Sequence, residues 1–313
     1  MSDFKHYPVM LNEAIDMLNC RKGLLYIDAT LGGGGYSKLI LDKISPEGRL
    51  ISFDIDKAAI EHSSNVLKDY KNLTIVNDSY TNIKKYLAEN NIKSISGGIV
   101  FDLGASTPQL TNGERGFSFM QDAALDMRFN QNQEFSAYDV VNSYKEDELV
   151  RIFSEYGEER FSKRIAKMII EKRKQAPVKT TQELVNIILE ATPRIKSKIH
   201  PATRVFQAIR IEVNSELENI KNTLNDVLTL LDNDAIMVVV TFHSLEDRIV
   251  KNFMRYHSNK CNCEPNKIIC DCPKPRLELM TRKPLTASDL EIRENPPSRS
   301  AKLRAARRIN REI

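Results

Sequence analysis

The stretch Leu24-Leu25-Tyr26-Ile27-Asp28-Ala29-Thr30-Leu31-Gly32-Gly33-Gly34-Gly35 decides the fold. A short apolar run ends on an acid, four glycines follow, and residues 37–44 read as an amphipathic helix, so the chain passes from strand through glycine loop to helix. A backbone free of Cβ atoms can approach a ligand closely at the mouth of a helix. The dinucleotide spacing G-x-G-x-x-G fails in both registers, since Gly32 with Gly34 would need glycine at Ser37, and Gly33 with Gly35 would need it at Lys38. A phosphate-cradling loop closing on G-K-[ST] is absent too, which sets aside nicotinamide oxidoreductases and nucleotide triphosphatases. Asp28, ahead of the glycines, suits a ligand bearing positive charge better than a pyrophosphate.

Outward from this loop the pattern repeats. Leu50-Ile51-Ser52-Phe53 precedes a helical segment near 57–70, Leu73-Thr74-Ile75-Val76 precedes one near 80–90, and Gly98-Ile99-Val100-Phe101 follows. Strands alternating with helices imply a parallel sheet with helices on both faces. The rhythm breaks after Leu110, and residues 137–231 read almost wholly helical. Val205, Ile209, Val213, Leu217, Ile220, Leu224, Val227 and Leu231 recur at spacings of three and four, which predicts one buried stripe on a long helix. Strand character returns at residues 235–242, with a helix from about Leu245 to Tyr256. The expected organisation is a discontinuous α/β domain, residues 1–110 and 206–313, interrupted by a mainly α-helical insertion over residues 111–205.

Four strands in succession end on or beside a carboxylate: Asp28, Asp54, Asp78 and Asp102. Ligands of open α/β sheets bind at the carboxyl ends of the strands, and an acid closing the second strand is placed to accept from the hydroxyls of a ribose. Any one of these acids alone reads as a helix cap or a loop acid. Together with the glycine loop they describe a site for a ribose, an adenine-like base and a cationic portion, which S-adenosylmethionine supplies.

Of the 313 residues 41% are apolar and 28% charged, a composition of folded rather than disordered chains. No apolar run approaches the roughly 18 residues of a membrane span, and Asp3, Lys5, Glu13 and Asp16 interrupt the N-terminal segment, so a cytoplasmic chain without membrane contact is expected. The net charge of +4 divides unevenly: residues 251–313 hold 15 Lys/Arg against 7 Asp/Glu, and residues 1–250 hold 31 against 35. Local basicity of this kind suits a polyanionic partner or a solvated tail equally. Cys261, Cys263, Cys270 and Cys272 form two C-x-C pairs, which enclose a tetrahedral zinc or stand as free thiols of a reducing compartment; structural zinc pairs generally leave wider gaps, and no metal is assigned.

Several longer motifs carry a resemblance. His6-Tyr7-Pro8-Val9-Met10, the glycine loop, Asp102 to Leu110, Glu114 to Phe119, Leu125-Asp126-Met127-Arg128, Phe242 to Arg248 and Pro297 to Arg304 resemble, in order and nearly end to end, the bacterial 16S rRNA cytosine-N4 methyltransferases, a family of class I S-adenosylmethionine-dependent methyltransferases. The resemblance implies a Rossmann-like class I sheet and places S-adenosylmethionine contacts at Gly34, Gly35 and Tyr36, at Asp54 on the ribose, at Tyr80 beside the adenine, and at Asp102 and Gln109 near the methionine end. This chain departs from the family in having Tyr36 where His is usual, Thr107 for Ser and Thr111 for Asp.

The implied reaction is methylation of the exocyclic N4 amine of a decoding-centre cytidine, with 16S rRNA or the small ribosomal subunit as partner. Asp102, Ser106 and His243 are the catalytic candidates; Asp126, Arg128, Ser244, Glu246 and Asp247 fall in matching motifs without a cofactor role. Ser244 reads as a helix N-cap with Asp247 at the third position, and Asp126 and Arg128 as partners of one another or of the insertion. Arg299, Lys302, Arg304, Arg307, Arg308 and Arg311 are expected to hold phosphates, unless Lys302 to Arg311 is a last strand carrying exposed charge. The insertion would wall the RNA cleft or make homodimer contacts. A non-catalytic rRNA-binding or assembly factor of the same fold, and a methyltransferase of another RNA or of DNA, are the rival readings.

Overall fold

The computed structural model describes residues 8–104, 115–193, 200–259 and 274–310. In chain order the elements are α1 (Leu11–Leu18), β1 (Leu25–Asp28), α2 (Gly35–Ile44), β2 (Arg49–Asp54), α3 (Lys57–Val66), β3 (Leu73–Asn77), α4 (Ile83–Glu89) and β4 (Gly98–Asp102). There follow α5 (Ala137–Ser143), α6 (Glu146–Glu155), α7 (Ser162–Arg173), α8 (Thr181–Ala191), α9 (Ala202–Asn214) and α10 (Glu216–Leu230). The chain ends with β5 (Ile236–Thr241), α11 (Ser244–Ser258), β6 (Leu277–Leu279), α12 (Asp289–Glu294) and β7 (Lys302–Arg308). Contacts divide it into two compact units, Met1–Gly104 with Leu217–Ile313, and Ala105–Glu216.

The first unit is built on a seven-stranded sheet of order β3-β2-β1-β4-β5-β7-β6. β1 to β5 run parallel, and β7 pairs antiparallel with both β5 and β6. The strands are apolar on both faces because each face is covered. Tyr26, Leu50, Val100, Val238 and Val240 pack with α1 and α2, whereas Ile27, Ile51, Phe101, Met237 and Val239 pack with α4, α10 and α11. The two-residue period thus sends neighbouring side chains into separate cores. Cys20, which follows α1, is half-buried, and burial pushes its thiol up to about 12.

The second unit has its own core, formed by Phe117, Leu125, Met127 and the inward faces of α5 to α9. Thr180 and Glu183 cap α8 reciprocally: Glu183 N donates to Thr180 Oγ1 at 3.3 Å and Thr180 N to Glu183 Oε2 at 3.1 Å.

Two expectations are corrected. The long helix is two helices, because Ser215 adopts a left-handed conformation (φ 50) that ends α9 before α10 begins. The hydrophobic period runs across the break, so periodicity alone could not reveal it. The return to the sheet unit also comes later than residue 206, since Val205, Phe206, Ala208, Ile209 and Val213 of α9 belong to the core of the second unit. No helix among the described residues is long and apolar enough to cross a membrane.

Candidate active site

β1 lies between β2 and β4, and successive strands leave it in opposite directions, so the ends of β1 and β4 flank the switch point where an open sheet takes its ligand. The glycine loop spans this point. Gly32 and Gly34 have φ of 49 and 79, and Gly34 caps α2. A Cβ on Gly34 would lie 3.1 Å from both Ser63 Oγ and Leu67 Cδ1, and one on Gly35 would lie 2.2 Å from Pro8 Cγ. The packing of the loop itself therefore excludes side chains at these two positions.

Asp28 is corrected from a ligand-facing acid to a buried brace. It is wholly out of solvent, accepts from Ser37 Oγ at 2.7 Å and Thr30 N at 3.1 Å, and is linked through Ser37 to Ser52 Oγ at 2.8 Å. Burial pushes its carboxyl up to about 6 against those donors. Tyr36, carried over from a position usually held by His, is 2% exposed and donates its hydroxyl to the Val9 carbonyl, which leaves only its backbone for a ligand.

Asp54 closes β2 half-buried, with Oδ2 accepting from Gly32 N and Oδ1 from Asp56 N, each at 2.8 Å. It fixes the loop, yet each oxygen keeps a second lone pair for a donor from outside. Burial pushes it, too, up to about 6. Asp78 takes the plainer role of a cap: its Oδ1 accepts from Ser79 N at 2.7 Å and Asn82 Nδ2 at 2.8 Å, closing the turn Tyr80–Asn82. That turn sets the half-buried Tyr80 ring edge-on to Phe101, with centroids 6.0 Å apart.

Asp102 ends β4, and its backbone N–H donates to Thr30 Oγ1 at 2.7 Å, joining β4 to the glycine loop. Its Oδ1 is sealed from solvent with no hydrogen-bond partner among the described residues. Burial, then repulsion from Asp28, Glu246 and Glu291, holds this carboxyl well above the usual carboxylate range. His243, not Ser244, is the N-cap of α11, and Glu246, not Asp247, stands at its third position. Glu246 Oε2 accepts from Phe242 N at 2.8 Å and His243 N at 3.3 Å, while Oε1 lies 3.2 Å from His243 Nε2. That contact lacks hydrogen-bond geometry, and both imidazole nitrogens are sealed from solvent without a hydrogen-bond partner among the described residues.

Asp247 faces the last strand. Arg304 Nε and Nη2 reach its two oxygens at 2.7 and 3.3 Å, and Lys302 Nζ comes within 3.4 Å. Burial works against the Asp247 charge, but these cations outweigh it and hold the carboxyl below its ordinary value. The phosphate role expected of Arg304 is overturned, since the guanidinium is 7% exposed and committed to Asp247. Arg307 pairs with Glu278 across β6 and β7, Arg308 donates to the carbonyls of Arg276 and Ile309, and Arg299 is exposed. Lys302–Arg308 of the basic end are a strand of the sheet, the alternative held open for this segment. Asp126 and Arg128, in the second unit, pair with each other through Nε–Oδ1 at 2.9 Å and Nη2–Oδ2 at 2.7 Å.

Ser106, Thr107, Gln109, Thr111, Arg311 and the four clustered cysteines lie outside the described residues. Sequence reasoning missed the hydroxyls of Thr30, Ser37, Ser52 and Ser63, which lock the loop from three directions, and Glu291, whose Oε1 accepts from Met10 N at 2.7 Å. Ser52 in an otherwise apolar strand was the one visible hint.

A Cβ-free loop, an acid at the end of β2, an aromatic ring after β3 and an unpartnered buried carboxyl oxygen at the end of β4 fit a nucleoside carrying a cationic side arm. The sheet and this site define a class I S-adenosylmethionine-dependent methyltransferase. A sequence profile of the MraW methylase family matches residues 3–309, and the chain belongs to that family. A Clostridium botulinum (strain Loch Maree / Type A3) protein named "Ribosomal RNA small subunit methyltransferase H" is 49% identical over 309 residues, 98% of this chain and 100% of that one. A Clostridioides difficile (strain 630) protein of the same name is 47% identical over 312 residues, with the same coverage of each. A solved putative rRNA-methylase from Clostridium thermocellum aligns with 97% of this chain and 100% of its own, at 12% identity and a TM-score of 0.45.

Proposed function

We propose that this chain methylates the exocyclic N4 amine of a decoding-centre cytidine in 16S rRNA, acting in the cytoplasm on the free RNA or on the small subunit. The observation that carries the reading is Asp102: a half-buried residue at the switch point whose Oδ1 is sealed from solvent and has no partner among the described residues. An acceptor is what an aromatic amine requires, because its lone pair is delocalised into the ring until acceptors hold its hydrogens. The full-length relatives, named for the small subunit's RNA, support the substrate class.

S-adenosylmethionine supplies an already activated methyl group. The backbone at Gly34, Gly35 and Tyr36, the Asp54 carboxylate, the Tyr80 ring and Gln109 would hold it, and Asp102 would flank the reacting atoms, accepting from the amine. Catalysis then rests mainly on alignment, with reacting atoms brought to about 3 Å. Asp102 accepts from the amine when ionised, and the positive charge of the cofactor favours that ionisation against the burial that opposes it. His243, whose ring nitrogens are buried without a hydrogen-bond partner among the described residues, would meet the substrate, and Ser106 is a further candidate for that role. A paired base cannot present its amine, so the cytidine is unpaired or extruded, with the helical unit holding the surrounding RNA.

The test supplies labelled S-adenosylmethionine with naked 16S rRNA, small subunits and DNA in parallel. Transfer to either RNA form, lost in Asp102→Ala, is expected. Transfer to DNA alone overturns the substrate, and binding of RNA without transfer to any substrate favours the assembly-factor reading.

A further inference from the structure

The second unit is nearly neutral, with 17 Lys/Arg and 16 Asp/Glu between residues 105 and 216, but its charge is segregated along the chain. Residues 134–159 hold two Lys/Arg and eight Asp/Glu, and residues 160–179 hold eight Lys/Arg and one Asp/Glu. Uniformly solvated helices have no reason to sort their charges in this way.

The basic part is α7 and its flanks. Ser162, Ile165, Ala166 and Ile169 bury one side of α7. Lys163, Arg164 and Lys167 on α7, and Lys174 just past its end, are exposed. At 3.6 residues per turn those four fall within about 100° of arc and along about 16 Å of helix, so they form one stripe. Arg160, in the turn before α7, is exposed as well. Neighbouring cations are already committed: Lys172 pairs with Glu190 at 2.8 Å, and Arg173 donates to the Val141 carbonyl at 2.7 Å. None of the stripe cations makes an ion pair among the described residues, and one carboxylate, Glu171, interrupts the arc.

We infer that this face of α7 is the phosphate-binding surface of the helical unit and docks the sugar-phosphate backbone of the RNA substrate. The inference rests on the proposed rRNA activity and replaces, for Arg304, the phosphate contact that its pairing with Asp247 precludes. The rival occupant is the acidic helix of a second copy, because α6 exposes Glu146, Asp147, Glu148 and Glu155. A protein interface of that kind would be expected to have an apolar centre, and no large apolar side chain is exposed on α7. A charged, wet and salt-sensitive face is the kind that meets nucleic acid.

The test uses the full chain and transcribed 16S rRNA. Lys163→Gln, Arg164→Gln and Lys167→Gln combined are compared with the charge-conserving set Lys163→Arg, Arg164→Lys and Lys167→Arg. RNA affinity is measured across a salt series, methyl transfer by kcat and KM, fold integrity by cofactor binding and circular dichroism, and association by sedimentation. Losing three phosphate contacts should lower the slope of log affinity against log salt by about 2. Affinity at low salt should fall at least about tenfold, and KM for RNA should rise with little change in kcat, as for a lost uniform contact. The charge-conserving set should restore all three. Unchanged affinity and salt slope with intact folding overturn the stripe while leaving the activity standing. A shift in association without any effect on RNA binding assigns the face to a second copy. Wild-type protein that binds RNA through the stripe but transfers no methyl overturns the activity and keeps the surface.

Discussion

At the residue scale the strand-end acids share a sequence position and divide its work. Asp28 is consumed by Ser37 and Thr30, Asp78 by its own turn, Asp54 accepts from the loop at Gly32 and from Asp56, and Asp102 keeps an oxygen unpartnered among the described residues. Sequence made the set legible but not the division, which depends on which hydroxyls fold back onto which carboxylate. Asp54→Ala should weaken cofactor binding by about 10- to 100-fold, the worth of hydrogen bonds to a charged acceptor, as read by titration calorimetry. Burial raises the Asp54 carboxyl to about 6 in the free protein. A ribose donor prefers the ionised form, so wild-type affinity should climb as pH rises through about 6 and level off above it. Asp28, pushed to the same region but buried, is retained in the variant. The variant should therefore keep a flatter pH dependence, and an identical climb in both proteins would remove Asp54 from the cofactor site.

At the scale of elements, two misreadings have physical causes that can be tested. The arginines of β7 invite a phosphate role because they are counted as charge, whereas the segment is the last strand that its sequence also allowed, paired on both sides and with Arg304 buried rather than exposed. Arg304→Ala strands Asp247 without its closest partner and should cost about 3 kcal/mol. Arg307→Ala, at the exposed pair with Glu278, should cost under about 1 kcal/mol; denaturant midpoints separate the two, and equal effects would refute the buried pair. The Asp247 carboxyl is held below its ordinary value, so this stabilisation is present at neutral pH and is lost as pH falls through the depressed value. The parallel strands, the glycine loop and the helical character of the middle segment were legible because local period and turn chemistry fix them. The break at Ser215 was not, since a left-handed residue leaves the apolar spacing intact. Ser215→Gly should stabilise the chain by roughly 0.5 kcal/mol because glycine meets no Cβ penalty there. One continuous helix would instead lose about 1 kcal/mol to the same change, so the sign of the shift distinguishes the two architectures.

At the scale of the whole molecule, the chain builds one unit from two separated segments and the other from a single continuous one. Among the described residues, every side chain of the helical unit's core lies between Phe117 and Val213. The sheet unit differs, because β5 pairs with β4 across the whole insertion and β7 closes on β5 from the far end of the sequence. Its folding must wait for contacts of long sequence separation, whereas the helical unit is assembled from neighbours and should form early. Residues 105–216 expressed alone should therefore fold, with helical circular dichroism and a cooperative thermal transition, and residues 1–104 alone should not. The isolated helical unit should also bind rRNA weakly, with a salt slope that disappears when Lys163, Arg164 and Lys167 are neutralised. A helical unit that is unfolded on its own would mean that its core, though continuous in sequence, is marginal without the sheet unit. A folded unit without salt-dependent binding would move the RNA surface off α7.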